Sequence, residues 1–485
     1  MRTHSVYVAV SLLLAVLLHP GRSMAESTEH TRVDAIFAQW DKPSSPGCAL
    51  LVLEDGKPLY DRSYGMADLE NRVPITSRTV FHVASISKQF TTASIALLAQ
   101  EGKLSLDDNI RKYVPELPDY GTPITLRQLA NHTSGLRDQW DLLKWAGWRL
   151  PDDLITDDDV LRVAFRQRSL NFTPGTDYAY SNTGYTLLAH VVKKVSGQSL
   201  KDFTAARIFA PLGMRHTHFR DDHAEIVPNL AHGYDIPANT NAAPTASKVT
   251  GGYKISNPHL DTAGPSNLLT TAQDLARWDE NFYTPRVGGS TLIQQLIEPG
   301  KLKSGKELVY AFGVEVPQYR GLRAVEHSGR DAGYRSDILR FPDQHFSVIL
   351  LCNTPELVTR DYARKVADVY LASHFKSEPP VPKQPAAPPP SRELSSSALA
   401  AYTGTYHSDE VDATYLVAAN AGGLTLASIK MPPQNLRAVT ESTFESPLGR
   451  IHFVHDASGQ VSGFNASTED GIRALLFSKA ASLNR

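Results

Sequence analysis

Ser85 stands three residues before Lys88 in "FHVASISKQF", where a polar stretch gives way to the apolar run "QFTTASIALLAQEG". At the head of a helix this spacing sets a hydroxyl and an amine on one face. Free backbone N–H groups and the helix dipole there favour developing negative charge. A lysine desolvated beside other cations holds its proton less tightly and can serve the serine as base. Alone the pair is a weak signal. Serine is a favoured helix cap, and Ser-x-x-Lys recurs at Ser373 to Lys376 on the edge of a proline-rich stretch.

Two more clusters strengthen it. Tyr180-Ser181-Asn182, in "TPGTDYAYSNTGYTLLAHVV", sits in a polar loop ahead of a helical run. A tyrosinate beside an ammonium can act as base, and an amide can hold a substrate carbonyl. The plainer reading makes Asn182 a helix cap and Tyr180 a half-buried loop aromatic. His327-Ser328-Gly329, in "VEHSGRDAGYRSDILRFP", precedes a strand, and Gly329 would let a substrate backbone lie close along its edge. The amides of Ser85 and Arg330 could then face one another as an oxyanion hole.

In this order the three clusters resemble the motifs of the penicillin-recognising serine hydrolases of the class C β-lactamase group, which includes DD-carboxypeptidases, D-aminopeptidases and esterases. "LANHTSGL" (129–136), "FTPGTDYAYSNTGY" (172–185), "APLGMRHTHF" (210–219) and "LLTTAQDLARW" (268–278) extend the resemblance over residues 30–372. It implies a five-stranded antiparallel sheet flanked by helices, beside a helical part, with the site in the cleft between. It also implies roles: Ser85 as nucleophile, Lys88 and Tyr180 as general base and acid, Asn182, His327, Ser328 and Gly329 against the substrate, and the amides of Ser85 and Arg330 on the oxyanion. No metal or other cofactor is expected, since metal-ligand and cofactor fingerprints are missing from the sequence.

The third motif departs from the class C β-lactamases, which usually carry lysine where this chain has His327. A fixed cation is replaced by a group mostly neutral near pH 7, which weakens a β-lactamase reading. Lys303-Ser304-Gly305 spells the lysine version but reads as a hairpin turn, hence a decoy. Arg330 and Arg335 could meet a carboxylate-ended substrate or simply be surface arginines. Trp140, Trp145 and Trp148 could wall a pocket, although helical spacing favours core packing.

The elements that must hold these groups are legible in outline. Strand-like "GCALLVLEDGKPLYDRSYG" near the start and "SDILRFPDQHFSVILLCN" near residue 350 enclose several helical runs, which predicts an α+β domain over 26–372 whose sheet joins its two ends. A proline-rich linker, 373–393, precedes short alternating runs over 394–485 that predict a small all-β barrel, lipocalin-like in size. Residues 1–25 read as a cleaved secretory signal, with Arg2, the run "VYVAVSLLLAVLL", and small residues Ser23 and Ala25 before the cut. The run is short for a membrane span. Cys48 and Cys352 lie in strand-like stretches and would bridge if those strands are neighbours; two buried thiols fit equally.

A formal charge of -2 with no long basic run gives no footprint for nucleic acid. The expectation is therefore a secreted, periplasmic serine hydrolase acting on a small-molecule or peptide substrate through an acyl-enzyme, with no membrane span after leader cleavage and the oligomeric state left open. D-amino-acid peptides or amides and short esters lead. A β-lactamase and a β-lactam or muropeptide sensor without turnover are the alternatives.

Overall fold

The run Cys48–Glu54 (β1) is buried along almost its whole length, which places it in the middle of a sheet with both faces covered. The computed structural model describes residues 20–150, 152–237, 252–378, 391–420 and 423–480, and of 20–27 only the backbone. β1 lies between Lys57–Tyr64 (β2) and the last strand of a meander, Val325–Asp331 (β3), Tyr334–Phe341 (β4) and Phe346–Cys352 (β5). The sheet order is β3-β4-β5-β1-β2, antiparallel throughout. It joins the two ends of the domain as the sequence predicts.

Five helices position the site: Pro20–Phe37 (α1), Ser87–Gln100 (α2), Gln139–Trp145 (α3), Asn182–Ser196 (α4) and Thr359–Tyr370 (α5). α1 and α5 cover one face of the sheet, where Val33, Phe37, Val366 and Ala367 meet Leu50, Val52 and Leu350. α2 covers the other, with Phe90, Ala93 and Leu97 in one core with Ala49, Leu51, Ile349 and Leu351. Every residue of α2 from Ser87 to Leu98 is buried, so this helix is surrounded by protein.

The cysteines face each other across β1 and β5 and form a disulfide, with their Cα atoms 4.1 Å apart. Neighbouring strands decide between the two readings of the sequence. Of the expected leader, residues 1–19 lie outside the described residues, as do 379–390 of the proline-rich stretch. Among the described residues no helix is long and apolar enough to cross a membrane.

Beyond the linker, eight antiparallel strands from Gly404 to Lys479 close in sequence order into a barrel. Its interior is filled by Tyr406, Tyr415, Phe444, Phe453, Phe464 and Phe477, all buried. α3 belongs to this core as well. Trp145 packs against Tyr415, Phe464 and Phe477, so its burial joins the two domains.

Candidate active site

Ser85 sits in a short 3-10 turn, Ala84–Ile86, that runs directly into α2. Ala84 has φ +46°, a left-handed conformation that costs a residue with a Cβ about 1–2 kcal/mol. Ser85 is half-exposed amid buried neighbours, so the bend presents its hydroxyl to solvent.

One turn on, Lys88 is fully buried. Its Nζ lies 3.0 Å from Ser85 Oγ, 2.8 Å from Asn182 Oδ1 and 2.9 Å from the carbonyl oxygen of Pro265. Burial drives its pKa down to about 7, against the opposing pull of Asp138 and Asp331. Near neutrality the amine can release its proton and turn a lone pair on Ser85.

The sequence reading missed Asp138. This buried carboxylate caps α3 by accepting from Trp140 N, and it accepts from both the backbone N and the Nδ2 of Asn182, each at 2.7 Å. Those bonds fix the amide so that Oδ1 faces Lys88. Asn182 is therefore the first residue of α4, with Ser181 at the cap position and no side-chain capping bond. The capping reading of Asn182 is set aside.

Tyr180 stands beside the lysine, whose Nζ is 4.8 Å from the ring centre. Burial holds its phenol well above the usual value, with a smaller downward pull from Ser85. Burial therefore disfavours a resting tyrosinate, the base considered from sequence, whereas it pushes Lys88 down to about 7. His132, from "LANHTSGL", lies against Tyr180 with ring centres 4.2 Å apart and accepts from Ser181 N through Nδ1. Burial keeps it neutral, its pKa well below the ordinary value.

On the opposite wall, His327 Nδ1 donates to the Ser328 carbonyl oxygen (2.7 Å) and Nε2 accepts from Tyr310 OH (2.9 Å). Burial, then Lys88, depress its pKa to about 4, so it is uncharged at neutrality. Gly329 makes a close approach, but to the protein's own chain. A Cβ there would stand 2.3 Å from Val83 O and 2.3 Å from Ser336 Oγ. This replaces the expectation that the glycine makes room for substrate, and it draws β3, with Arg330, against the turn that carries Ser85.

A cleft of about 850 Å³ collects Ser85, Tyr180, Asn182, His327, Ser328 and Arg330. Asp331 also lines it. Its Oδ2 accepts from Ser266 Oγ (3.1 Å) and pairs with His82 Nε2 (3.0 Å), while among the described residues Oδ1 has no hydrogen-bond partner. Arg330 is exposed at the mouth. Arg335, by contrast, is largely buried and donates to the carbonyls of Ala332 and Tyr334, so it is no free surface cation. Trp140 lines the cleft and also packs, half-buried, against the core that Trp145 enters. Lys303 falls in a turn closed by the bridge between Lys301 and Glu307 and is not part of the cleft wall.

With this geometry in place, comparison with known proteins is decisive for the family. The family model described as Beta-lactamase matches residues 33–372. The chain belongs to the beta-lactamase family. It is 31% identical over 367 residues to penicillin-binding protein 4* of Bacillus subtilis, spanning 74% of this chain and 78% of that one. It is 28% identical over 308 residues to a D-aminopeptidase of Brucella anthropi, covering 64% of this chain and 56%, little more than half, of the relative. The octameric penicillin-binding protein homologue from Pyrococcus abyssi shares the fold with a TM-score of 0.60 at 21% identity, over 94% of this chain and 99% of that one. The chain is a serine hydrolase of the beta-lactamase family.

Proposed function

We propose that the protein hydrolyses amides or esters of D-amino acids through an acyl-enzyme on Ser85. The observation that carries the reading is a fully buried lysine whose Nζ lies 3.0 Å from the hydroxyl of a half-buried serine, burial that pushes its pKa down to about 7. Lys88, as free amine, takes the Ser85 proton while Oγ bonds to the substrate carbonyl carbon. The amides of Ser85 and Arg330 receive the oxyanion. Tyr180, still protonated, gives its proton to the leaving amine and regains one from Lys88. Water, activated by the same pair, then releases the acyl group. Asn182 orients the substrate amide, and His327 and Ser328 form the facing wall.

Similarity to a D-aminopeptidase supports an aminoacyl substrate. So does Asp331, whose second oxygen could meet an α-ammonium in the cleft that also holds Ser85. The uncharged His327 offers no fixed cation for a β-lactam carboxylate. Secretion to the periplasm fits the disulfide, which needs an oxidising compartment to persist.

The test is turnover of D-alanyl, L-alanyl and N-acetyl-D-alanyl p-nitroanilides and of p-nitrophenyl butyrate, with intact mass recorded on native protein and on Ser85→Ala. The D-alanyl substrate should be cleaved fastest and Ser85→Ala should lose all turnover and all adducts. Wild-type rates in Ser85→Ala would sink the mechanism; a preference for the N-acetylated substrate would sink the aminoacyl assignment.

A further inference from the structure

A hydrogen-bonded chain leads from the C-terminal barrel to the base of the active site. The carbonyl oxygen of Gly471, in the turn between the last two barrel strands, accepts from Asp138 N (3.0 Å) and from Asn171 Nδ2 (3.0 Å). Asp138 in turn holds Asn182 by two bonds, and Asn182 Oδ1 accepts from Lys88. Three links therefore separate a barrel carbonyl from the lysine ammonium.

The seat of Gly471 is tight. A Cβ at this position would stand 2.2 Å from Asp141 Oδ2 and 2.9 Å from Asp138 Cβ. Thr468 anchors the same turn: its Oγ1 donates to Asp141 Oδ2 (2.6 Å) and accepts from Ile472 N (2.9 Å). On both sides of Asp138 the chain is committed to the barrel. Arg137 pairs with Glu410 at 2.7 Å with both side chains almost wholly buried, and α3 ends in Trp145, embedded in the barrel core. The family match ends at residue 372, before any of these barrel residues.

We infer that the barrel turn Thr468–Ile472 is a positioning element of the catalytic centre, setting Asp138 and through it the orientation of Asn182 against Lys88. This rests on Lys88 acting as base, as proposed above. Asp138 and, from the facing strand, Asp331 favour the charged lysine, and His132, His327 and the rings of Tyr180 and Tyr185 complete its titratable surroundings. A turn that no longer seats Asp138 weakens that support, so the lysine loses its proton at lower pH while Asn182 loses its fixed orientation.

The experiment compares full-length wild type, Gly471→Ala and Thr468→Val, reading kcat and KM against pH and the melting temperature of each. Thr468→Val adds no atom to the tight seat and serves if Gly471→Ala does not fold. The expected result is a kcat lowered about tenfold or more, with the acid limb of kcat/KM moved to lower pH in folded protein. A merely structural role would lower the melting temperature and leave that limb in place. Unchanged kcat and limb, or a loss of activity with the limb unmoved, overturns the inference. Wild type with no acid limb near 7, or with activity surviving Ser85→Ala, would instead overturn the proposed function.

Discussion

Lys88 is held in a position that costs the fold stability. A fully buried ammonium loses its hydration, and the three acceptors around it together with Asp138 and Asp331 restore only part, leaving a pKa of about 7 against an ordinary 10.5. Between those two values the unfolded chain carries a proton that the native chain has released, so stability rises with pH across that window; below 7 both states are protonated and the cost is felt in full. Replacing Lys88 with Met should therefore abolish turnover yet stabilise the protein at pH 6, on the order of 1–4 kcal/mol. The gain should shrink by pH 9. Urea unfolding of both proteins at the two pH values checks this, and equal stability throughout would refute it. For native protein the same titration places the acid limb of kcat/KM near 7. Because burial keeps Tyr180 far above its usual pKa, no second limb from its phenol is expected below 10.

At the scale of elements, the site exists because β3 touches the turn before α2. Gly329 is the point of contact, and the atoms that a side chain would meet are the backbone oxygen of Val83, which cannot swing aside, and the Ser336 hydroxyl, which could do so only by giving up its hydrogen bond to that oxygen. Gly329→Ala should push β3 and the Arg330 amide away from Ser85, lowering kcat by about a hundredfold, as loss of one oxyanion donor does, and stability by about 1–3 kcal/mol. KM should change much less than kcat, and steady-state kinetics with a thermal melt will show whether it does. What the sequence revealed of this arrangement follows the same physics. Ser85, Lys88, Tyr180 and Asn182 were legible because each comes in a short cluster at an element's start. The sheet's centre was legible because β1 and β5 are nearly continuous apolar runs, interrupted only by Ser347 and ended by Glu54. Asp138 was not, since a lone acid before a tryptophan-rich helix reads as an ordinary cap and its second role depends on Asn182, 44 residues further on. Trp145 on α3 is embedded in the barrel core while Trp140, five residues earlier, packs against that core and also lines the cleft, a double role that spacing cannot reveal. The barrel strand Met431–Ala438 carries Pro432 and Pro433, which on sequence alone read as a break.

For the whole molecule, two couplings fix how it comes apart. The disulfide closes a loop of 304 residues, so it removes a large share of the freedom of the unfolded catalytic domain. Changing both cysteines to serine should lower the unfolding free energy by roughly 2–5 kcal/mol. How that loss appears depends on the second coupling. Trp145 lies in the barrel core, and the buried Arg137–Glu410 pair spans the two domains, so detaching the barrel exposes a large aromatic surface and leaves a buried charge without its partner. The barrel therefore gains little by staying folded once the helical part opens. A single calorimetric transition is expected for native protein, and in Cys48→Ser/Cys352→Ser that transition should move down as a whole. A second transition left in place by the mutation would show that the barrel melts on its own and that the interface is weaker than its buried groups imply.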